Sequence, residues 1–122
     1  MTKRILVVED HEDNRQILRV LLGSAGYQMI EAHDGETALT TAASERPDLI
    51  LMDIQLPGLD GYEATRRIKA DPALKSIPVI AVTSYALSGD EEKTRAAGCD
   101  GYIAKPYSPR QMLAKVREVL GA

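Results

Sequence analysis

The sequence contains no phenylalanine, no tryptophan and a single cysteine, Cys99. Its core must therefore be built from Val, Ile, Leu, Met and Ala, with a smaller contribution from tyrosine. One cysteine excludes an internal disulfide and favours a reducing compartment. No apolar run approaches the ~20 residues that span a bilayer, and residues 1–4 lead straight into an apolar strand pattern without a signal-peptide core. We therefore expect a cytoplasmic protein with no membrane segment.

A large excess of charge of either sign is also missing. The 122 residues carry a formal net charge of −3, and the acidic and basic side chains are interspersed. A nucleic-acid-binding surface would show as a clustered basic stripe, so we expect no nucleic-acid partner. Hydrophobic residues make up 44% of the chain, which is typical of globular proteins and argues against disorder. We expect one domain over residues 1–122.

Short apolar runs alternate with amphipathic stretches along the chain. The apolar runs are too short for helices and predict strands at residues 5–8, 27–32, 49–53, 78–83 and 102–104. Helical spacing of apolar residues predicts helices at residues 13–25, 35–45, 62–70, 91–97 and 109–120. In the first of these helices, Ile17, Leu18 and Leu22 are expected on one apolar face.

Five successive strand–helix units define the fold class. Three of the strands are almost continuously apolar, which is typical of a parallel sheet covered on both faces. Right-handed connections between such strands favour a doubly wound arrangement. We therefore predict an α/β fold, a doubly wound five-stranded parallel sheet with helices on both faces, of the flavodoxin-like (βα)5 type.

Polar residues lie where the predicted strands end. Glu9 and Asp10 follow the first strand, Asp53 ends the third, Thr83 ends the fourth and Lys105 follows the fifth. In an open parallel sheet, ligands bind outside the carboxyl ends of the strands. We therefore expect these five side chains to meet at one edge of the sheet.

Three carboxylates at one edge need a neutralising cation. Two unit charges about 4 Å apart interact by about 4 kcal/mol at an effective dielectric constant of 20. The histidines, His11 and His33, are predicted to be surface residues, so the expected ligands are oxygen atoms alone, which favours Mg²⁺ or Mn²⁺ over zinc. Because Mg²⁺ in such sites usually also binds phosphate oxygens, the site is expected to be completed by a phosphoryl group.

Four motifs in order, "VVEDHEDN", "LILMDIQLPGLDGYE", "PVIAVTSYA" and "YIAKP", make the whole chain resemble the receiver domain of bacterial response regulators, the CheY-like fold. The resemblance implies that Asp53 accepts a phosphoryl group from a histidine kinase or a histidine phosphotransfer protein, with Mg²⁺ as cofactor. It also implies that Asp10 binds the ion directly, that Glu9 acts through water, and that the backbone carbonyl of Gln55 is a further ligand.

The resemblance also implies how the signal would be read. Thr83 would hydrogen-bond the phosphoryl group, Lys105 would pair with it, and Tyr102 would be an aromatic switch. The peptide bond after Lys105 is expected to be cis. The output surface, which would bind a downstream protein target, would comprise the fourth helix, the fifth strand and the fifth helix, including Tyr102, Tyr107 and Arg110.

Two other functions are compatible with the fold. A flavodoxin-like nucleotide binder should carry a Gly- or Ser/Thr-rich phosphate cradle after the first strand, where this chain has acids. An aspartyl-phosphate hydrolase, by what is known of that family, needs an acid two residues after its nucleophile, where this chain has Gln55. We expect a switch rather than an enzyme, with only slow self-phosphotransfer. Hydrolysis is also expected to be slow, because Gln55 and Tyr85 are expected to hinder an incoming water. An excised receiver of a larger protein would show the same pattern.

Overall fold

The structure is a computed structural model that describes residues 2–83 and 90–121. Strands and helices alternate along the described chain. Their bounds are β1 (Arg4–Val8), α1 (Glu12–Ser24), β2 (Gln28–Ala32), α2 (Gly35–Glu45), β3 (Leu49–Asp53), α3 (Gly61–Ala70), β4 (Val79–Thr83), α4 (Asp90–Ala97), β5 (Gly101–Ala104) and α5 (Pro109–Leu120). Each element lies within one residue of its predicted position.

The five strands form one parallel sheet in the order β2-β1-β3-β4-β5. The order confirms the predicted doubly wound sheet, because the chain moves outward from β1 to β2 and then returns past β1 to β3. In the register, Val8 pairs with Met52, Asp53 with Val82, and Thr83 with Ala104. The carboxyl ends of β1, β3, β4 and β5 therefore lie side by side.

Helices cover both faces of the sheet. On one face, α1 and α5 pack over alternate strand residues, and the buried cluster includes Leu18, Leu22, Met112 and Val116. On the other face, α2 and α3 pack over the remaining strand residues, and that cluster includes Ala38, Ala42, Ala64 and Ile68. The alanines Ala38, Ala42 and Ala64 are fully buried in that cluster, in a chain without phenylalanine or tryptophan.

Only part of the apolar face of α1 is buried. Leu18 and Leu22 are at most 4% exposed, whereas Ile17 is 59% exposed and its neighbour Val20 is 68% exposed. The helical spacing in the sequence therefore identified the helix correctly but not which of its apolar residues reach the core. No helix in the described ranges is long and apolar enough to cross a membrane.

Local signals account for the helix ends. The side chain of Asp34 accepts a hydrogen bond from the backbone N–H of Thr37 at 2.7 Å and caps α2. Ser108 and Gln111 form a reciprocal capping box at the start of α5. Gly26 follows α1 with a φ of 89°, a backbone conformation that glycine adopts without strain.

At the amino-terminal edge of the sheet, opposite the predicted site, Lys69 ties three segments together. Its ammonium group donates to the carbonyl oxygens of Lys75 and Ile77 at 3.1 and 2.8 Å, and to Oδ2 of Asp100 at 2.8 Å. The same Asp100 oxygen accepts from the backbone N–H of Val79 at 2.9 Å. The connection joins α3 to the start of β4 and to the residue before β5.

Candidate functional site

The backbone of the sheet brings the predicted site residues to one edge. Asp53 is the last residue of β3 and Thr83 the last of β4. Beyond the strands the ladder continues, because Glu9 N–H donates to the carbonyl oxygen of Ala32 at 3.0 Å and Lys105 N–H donates to that of Thr83 at 2.7 Å. These main-chain bonds hold the residues after β1 and β5 against their neighbours.

Lys105 joins two buried carboxylates. Its Nζ lies 3.2 Å from Oε1 of Glu9 and 3.3 Å from Oδ2 of Asp53. Glu9 is 3% exposed and Asp53 is 4% exposed. Removing two carboxylates from water costs free energy unless a partner compensates them, and here one cation serves both. The attraction of the two acids raises the pKa of Lys105, against the effect of its own burial.

Asp53 remains incompletely compensated. Burial raises the pKa of its carboxyl to about 6, a backbone hydrogen bond from Gln55 opposes that rise, and the charge of Glu9 adds to it. The Gln55 N–H donates to Oδ1 at 2.9 Å, while Lys105 binds the other oxygen. A second cation at this edge would therefore stabilise the ionised form of Asp53.

Glu9 is the better-compensated acid of the pair. Burial alone would raise its pKa, but the hydrogen bond from the backbone N–H of His11 and the charge of Lys105 help to bring it down to about 2. The His11 N–H donates to Oε2 at 3.2 Å. Glu9 is therefore ionised at neutral pH, and protein donors bind both of its carboxylate oxygens.

Asp10 provides the oxygen that protein groups leave open. Among the residues that the structure describes, its Oδ1 is buried and finds no hydrogen-bond partner. Ligand atoms of Glu9, Asp10 and His11 lie within 4.8 Å of one another. A buried acceptor without a donor is costly, and a hard cation would satisfy it. The donor set therefore fits Mg²⁺, which prefers carboxylate oxygens.

The histidine beside these two acids was not expected to lie so close to them. His11 is largely exposed, as predicted, yet its Nε2 comes within 3.8 Å of Oδ2 of Asp10. No converging histidine was expected from the sequence, and the structure corrects that expectation, because His11 directly follows the two acids and its ring lies beside Asp10. The other histidine, His33, is exposed and lies beside Asp34.

The remaining predicted residues, Thr83, Tyr102 and Tyr107, lie in three different environments. Thr83 is fully buried at the end of β4. Tyr102 is half-buried on the edge strand and lines a cavity together with Thr94 and Asp100. Tyr107 instead packs against the α1 side and lines a groove that includes Ile17. The structure therefore does not place Tyr102 and Tyr107 on one surface.

The structure also locates most of the other predicted residues. Arg110 is exposed in the first turn of α5, and the Lys105–Pro106 peptide bond is cis as expected. The side chain of Gln55 is exposed beside Asp53. Tyr85 lies outside the described residues.

Two residues of α1 contact the site and were not predicted. Asn14 Nδ2 donates to Oε1 of Glu9 at 3.1 Å. Arg15 Nη1 donates to the backbone carbonyl of Glu9 at 2.6 Å, and its other nitrogens pair with Glu12 and Glu31. The sequence feature that could have identified them is their position in the first turns of the helix that follows Glu9 and Asp10.

An open apolar groove runs along α1. It is lined by residues that include Ile17, Val20, Leu21, Tyr107 and Pro109. Next to it, Lys105, Pro106 and Tyr107 line a second depression together with Ile17 and Asn14. The exposed apolar side of α1 is therefore continuous with the residues around Asp53.

Comparisons with known proteins agree with this arrangement. The model of the response regulator receiver domain family matches residues 5–117. The polar-differentiation response regulator DivK of Brucella ovis is 46% identical over 121 residues, covering 99% of this chain and 98% of DivK. The receiver domain of a sensor histidine kinase from Pseudomonas aeruginosa, solved with a magnesium ion in its active-site cleft, has a TM-score of 0.92 and 38% identity and covers both chains completely. Chemotaxis protein CheY4 of Vibrio cholerae has a TM-score of 0.92 and 28% identity, covering 98% of this chain and 99% of its own. The chain, whose Lys105 meets the acids at the carboxyl edge of the sheet, is therefore a member of the response regulator receiver domain family.

Proposed function

We propose that Asp53 is the phosphoacceptor of this receiver and that the donor is a phosphohistidine on a histidine kinase or phosphotransfer protein. The observation that carries the proposal is the Lys105 bridge between buried Asp53 and Glu9 at the carboxyl edge of the sheet. A carboxylate that ends a rigid strand is held still for in-line attack. An oxygen of Asp53 attacks the phosphorus, the phosphorus–nitrogen bond of the donor breaks, and the histidine leaves with its electron pair.

Magnesium is part of the proposal. Asp10, Asp53 and the backbone carbonyl of Gln55 would hold the ion, and Glu9 would act through water. When bound, Mg²⁺ offsets negative charge on the transferring phosphoryl group. Oδ1 of Asp10, which is buried and has no donor among the described residues, supports this assignment. The related receiver from P. aeruginosa carries magnesium in its active-site cleft.

Lys105 and Thr83 would respond to the new phosphoryl group. Phosphorylation adds roughly −1.5 to −2 charges and three acceptor oxygens, so Lys105 would shift from Glu9 toward them and the Thr83 hydroxyl would donate to one. Charge-assisted contacts of about 1.5–3 kcal/mol each sum to the order of the 5.5 kcal/mol that turns a 1:99 equilibrium into 99:1. The residues after Thr83, which would move with it, lie outside the described part of the chain.

The output surface follows from the same segments. Tyr102 sits between α4 and α5 on the edge strand, where an inward turn of its ring would change the exposed surface. Arg110, at the exposed start of α5, is retained in this surface, whereas Tyr107 is reassigned to the α1 side. We propose that the output is a contact with a downstream protein, without nucleic acid or membrane.

The α1 groove is proposed as the docking site for the helical phosphodonor. Its apolar residues are exposed, and it continues to Lys105 beside the acceptor. A donor helix packed on Ile17 and Val20 would bring its phosphohistidine to Asp53. A cytoplasmic location follows from this partner, because histidine kinases obtain ATP there.

Slow hydrolysis completes the proposal. Gln55 occupies the position where an aspartyl-phosphate hydrolase carries its acid, and it can neither accept nor deliver a proton as a carboxyl does. The acyl phosphate on Asp53 is therefore expected to be hydrolysed slowly and to persist. A phosphoryl lifetime of seconds, or continuous release of phosphate from acetyl phosphate, would favour the hydrolase instead.

The test of the acceptor is labelling by a small donor. Acetyl phosphate with MgCl₂ should add one phosphoryl group to the wild-type chain, detected by intact-protein mass spectrometry, and none to Asp53→Asn. Asp60→Asn is the matched control, because Asp60 caps α3 from an exposed position and asparagine caps equally well. Undiminished labelling of Asp53→Asn would refute the assignment.

A further inference from the structure

We propose that Asn14 is a positioning residue for the metal site, holding the Glu9 carboxylate in place so that Asp10 meets the ion. The inference rests on the proposed function, since it concerns how this chain holds Mg²⁺. It also gives a role to the α1 residue whose contact with the site was not foreseen from the sequence.

The hydrogen bonds of Glu9 carry the argument. Its Oε2 accepts from the backbone N–H of His11 at 3.2 Å. Its Oε1 accepts from two side chains, Asn14 Nδ2 at 3.1 Å and Lys105 Nζ at 3.2 Å. Glu9 is almost completely buried, so water cannot easily replace a donor that is lost. Asn14 is therefore one of two donors that fix this oxygen.

Asn14 is the donor that stays when Lys105 moves. In the proposed reaction, Lys105 turns toward the phosphoryl group on Asp53. Without Asn14, that turn would leave a buried Glu9 oxygen unsatisfied, and Glu9 would hold Lys105 back. The neutral amide of Asn14 still donates to that oxygen and adds no charge, so Lys105 can leave without stranding it.

The main chain of Glu9 is held from the same helix. Arg15 Nη1 donates to the Glu9 carbonyl oxygen at 2.6 Å, and the arginine is itself anchored by Glu12 at 2.7 Å. Consecutive residues of α1 thus hold the backbone and the side chain of Glu9. The adjacent Asp10, whose Oδ1 has no described donor, is left available. Protein donors thus orient Glu9, and Oδ1 of Asp10 is available to the ion.

The length of the glutamate side chain explains why such a partner is needed. An aspartate at position 9 would withdraw the carboxylate by about 1.5 Å and lengthen the contact with Asn14 beyond hydrogen-bonding range. Partners that orient the ligands of a metal site typically contribute 10–100-fold to its affinity. The contribution of Asn14 should therefore depend on Glu9.

The test is a double-mutant cycle on magnesium affinity, measured by isothermal titration calorimetry without any phosphodonor. Asn14→Leu should weaken Mg²⁺ binding about tenfold in the wild-type background. In the Glu9→Asp background the same substitution should change the affinity less than about twofold. Gln28→Leu removes an amide from an exposed position on β2 and should leave the affinity unchanged.

Thermal unfolding by circular dichroism accompanies each titration, because a general loss of structure would lower affinity in both backgrounds alike. Asn14→Ala replaces Asn14→Leu if the leucine variant does not fold. Wild-type affinity in Asn14→Leu, or an equal loss in both backgrounds, would overturn the inference and leave the proposed function standing. Failure of the wild-type chain to bind Mg²⁺ would overturn both.

Discussion

Lys105 Nζ lies 3.3 Å from Oδ2 of Asp53, yet the pKa of that carboxyl is raised to about 6. The attraction of the lysine is outweighed by burial and by the nearby charge of Glu9. The ionised form of Asp53 is thus held in surroundings that are unfavourable for its charge, and a divalent cation would stabilise it. Ionisation of Asp53 therefore affects the free energy of unfolding of the whole chain.

The first prediction concerns pH in the absence of Mg²⁺. Because the folded pKa of Asp53 lies above its ordinary value near 4, the folded state binds this proton more tightly. Stability should fall as pH rises from about 4 to about 6 and remain lower above that, by about 3 kcal/mol. Asp53→Asn should remove the fall and be more stable by that amount at pH 7, in urea unfolding with EDTA.

Glu9 does not obscure this measurement. Its pKa is lowered to about 2, so its stabilising contribution is complete above its ordinary value near 4.5 and disappears only as pH falls toward 2. The window from pH 5 to 7 therefore reports on Asp53. Parallel pH curves for the wild type and Asp53→Asn would contradict the prediction.

The second prediction concerns Asp10. Mg²⁺ at 100 times its dissociation constant should stabilise the wild-type chain by about 2.7 kcal/mol. Asp10→Asn should lose this gain, because the buried Oδ1 is the proposed ligand. The measurement is thermal unfolding in MgCl₂ against NaCl of equal ionic strength. Asp13→Asn removes the same charge from an exposed position on α1 and should keep the gain; a full magnesium response in Asp10→Asn would reject the assignment.

The third prediction concerns the α1 groove. Ile17→Ser with Val20→Ser should slow phosphotransfer at least tenfold from a histidine kinase identified by phosphotransfer profiling, because both side chains are exposed and would be covered by the donor. Labelling by acetyl phosphate, which needs no docking surface, should be unchanged. Equal loss with both donors would place the defect in the acceptor site.

The fourth prediction concerns the far edge of the sheet. Lys69→Met keeps the apolar stem but removes the ammonium group that binds two carbonyl oxygens and Asp100, so it should destabilise the chain by about 2–3 kcal/mol in urea unfolding. Lys75→Met is the control, since only the backbone of Lys75 takes part in this connection. Labelling of Asp53 in native buffer should be normal; an unchanged midpoint for Lys69→Met would show that the connection is dispensable.

The fold could be predicted because its signals are local. The apolar runs of β1, β3 and β4 are fully or almost fully buried, and a run such as residues 49–53 ends on the acid that marks the site. Parallel topology then dictates that Asp53 and Lys105 share an edge. Composition and strand order suffice for this level of detail.

The missing details depend on packing between elements. Asn14 and Arg15 reach Glu9 because the start of α1 lies against the end of β1. Tyr107 lies beside Ile17 because α5 packs next to α1 on one face of the sheet. No spacing rule within one element fixes such relations between helices, so the sequence alone could not assign these side chains.

The strand order has a consequence for when the protein becomes competent to signal. Lys105 is 96 residues from Glu9 in the chain and directly follows the edge strand β5, which lies beyond β4. A nascent or partly unraveled polypeptide would carry Asp53 without its cation. In the proposed reaction, such a species would accept a phosphoryl group poorly, because Lys105 is not yet beside Asp53.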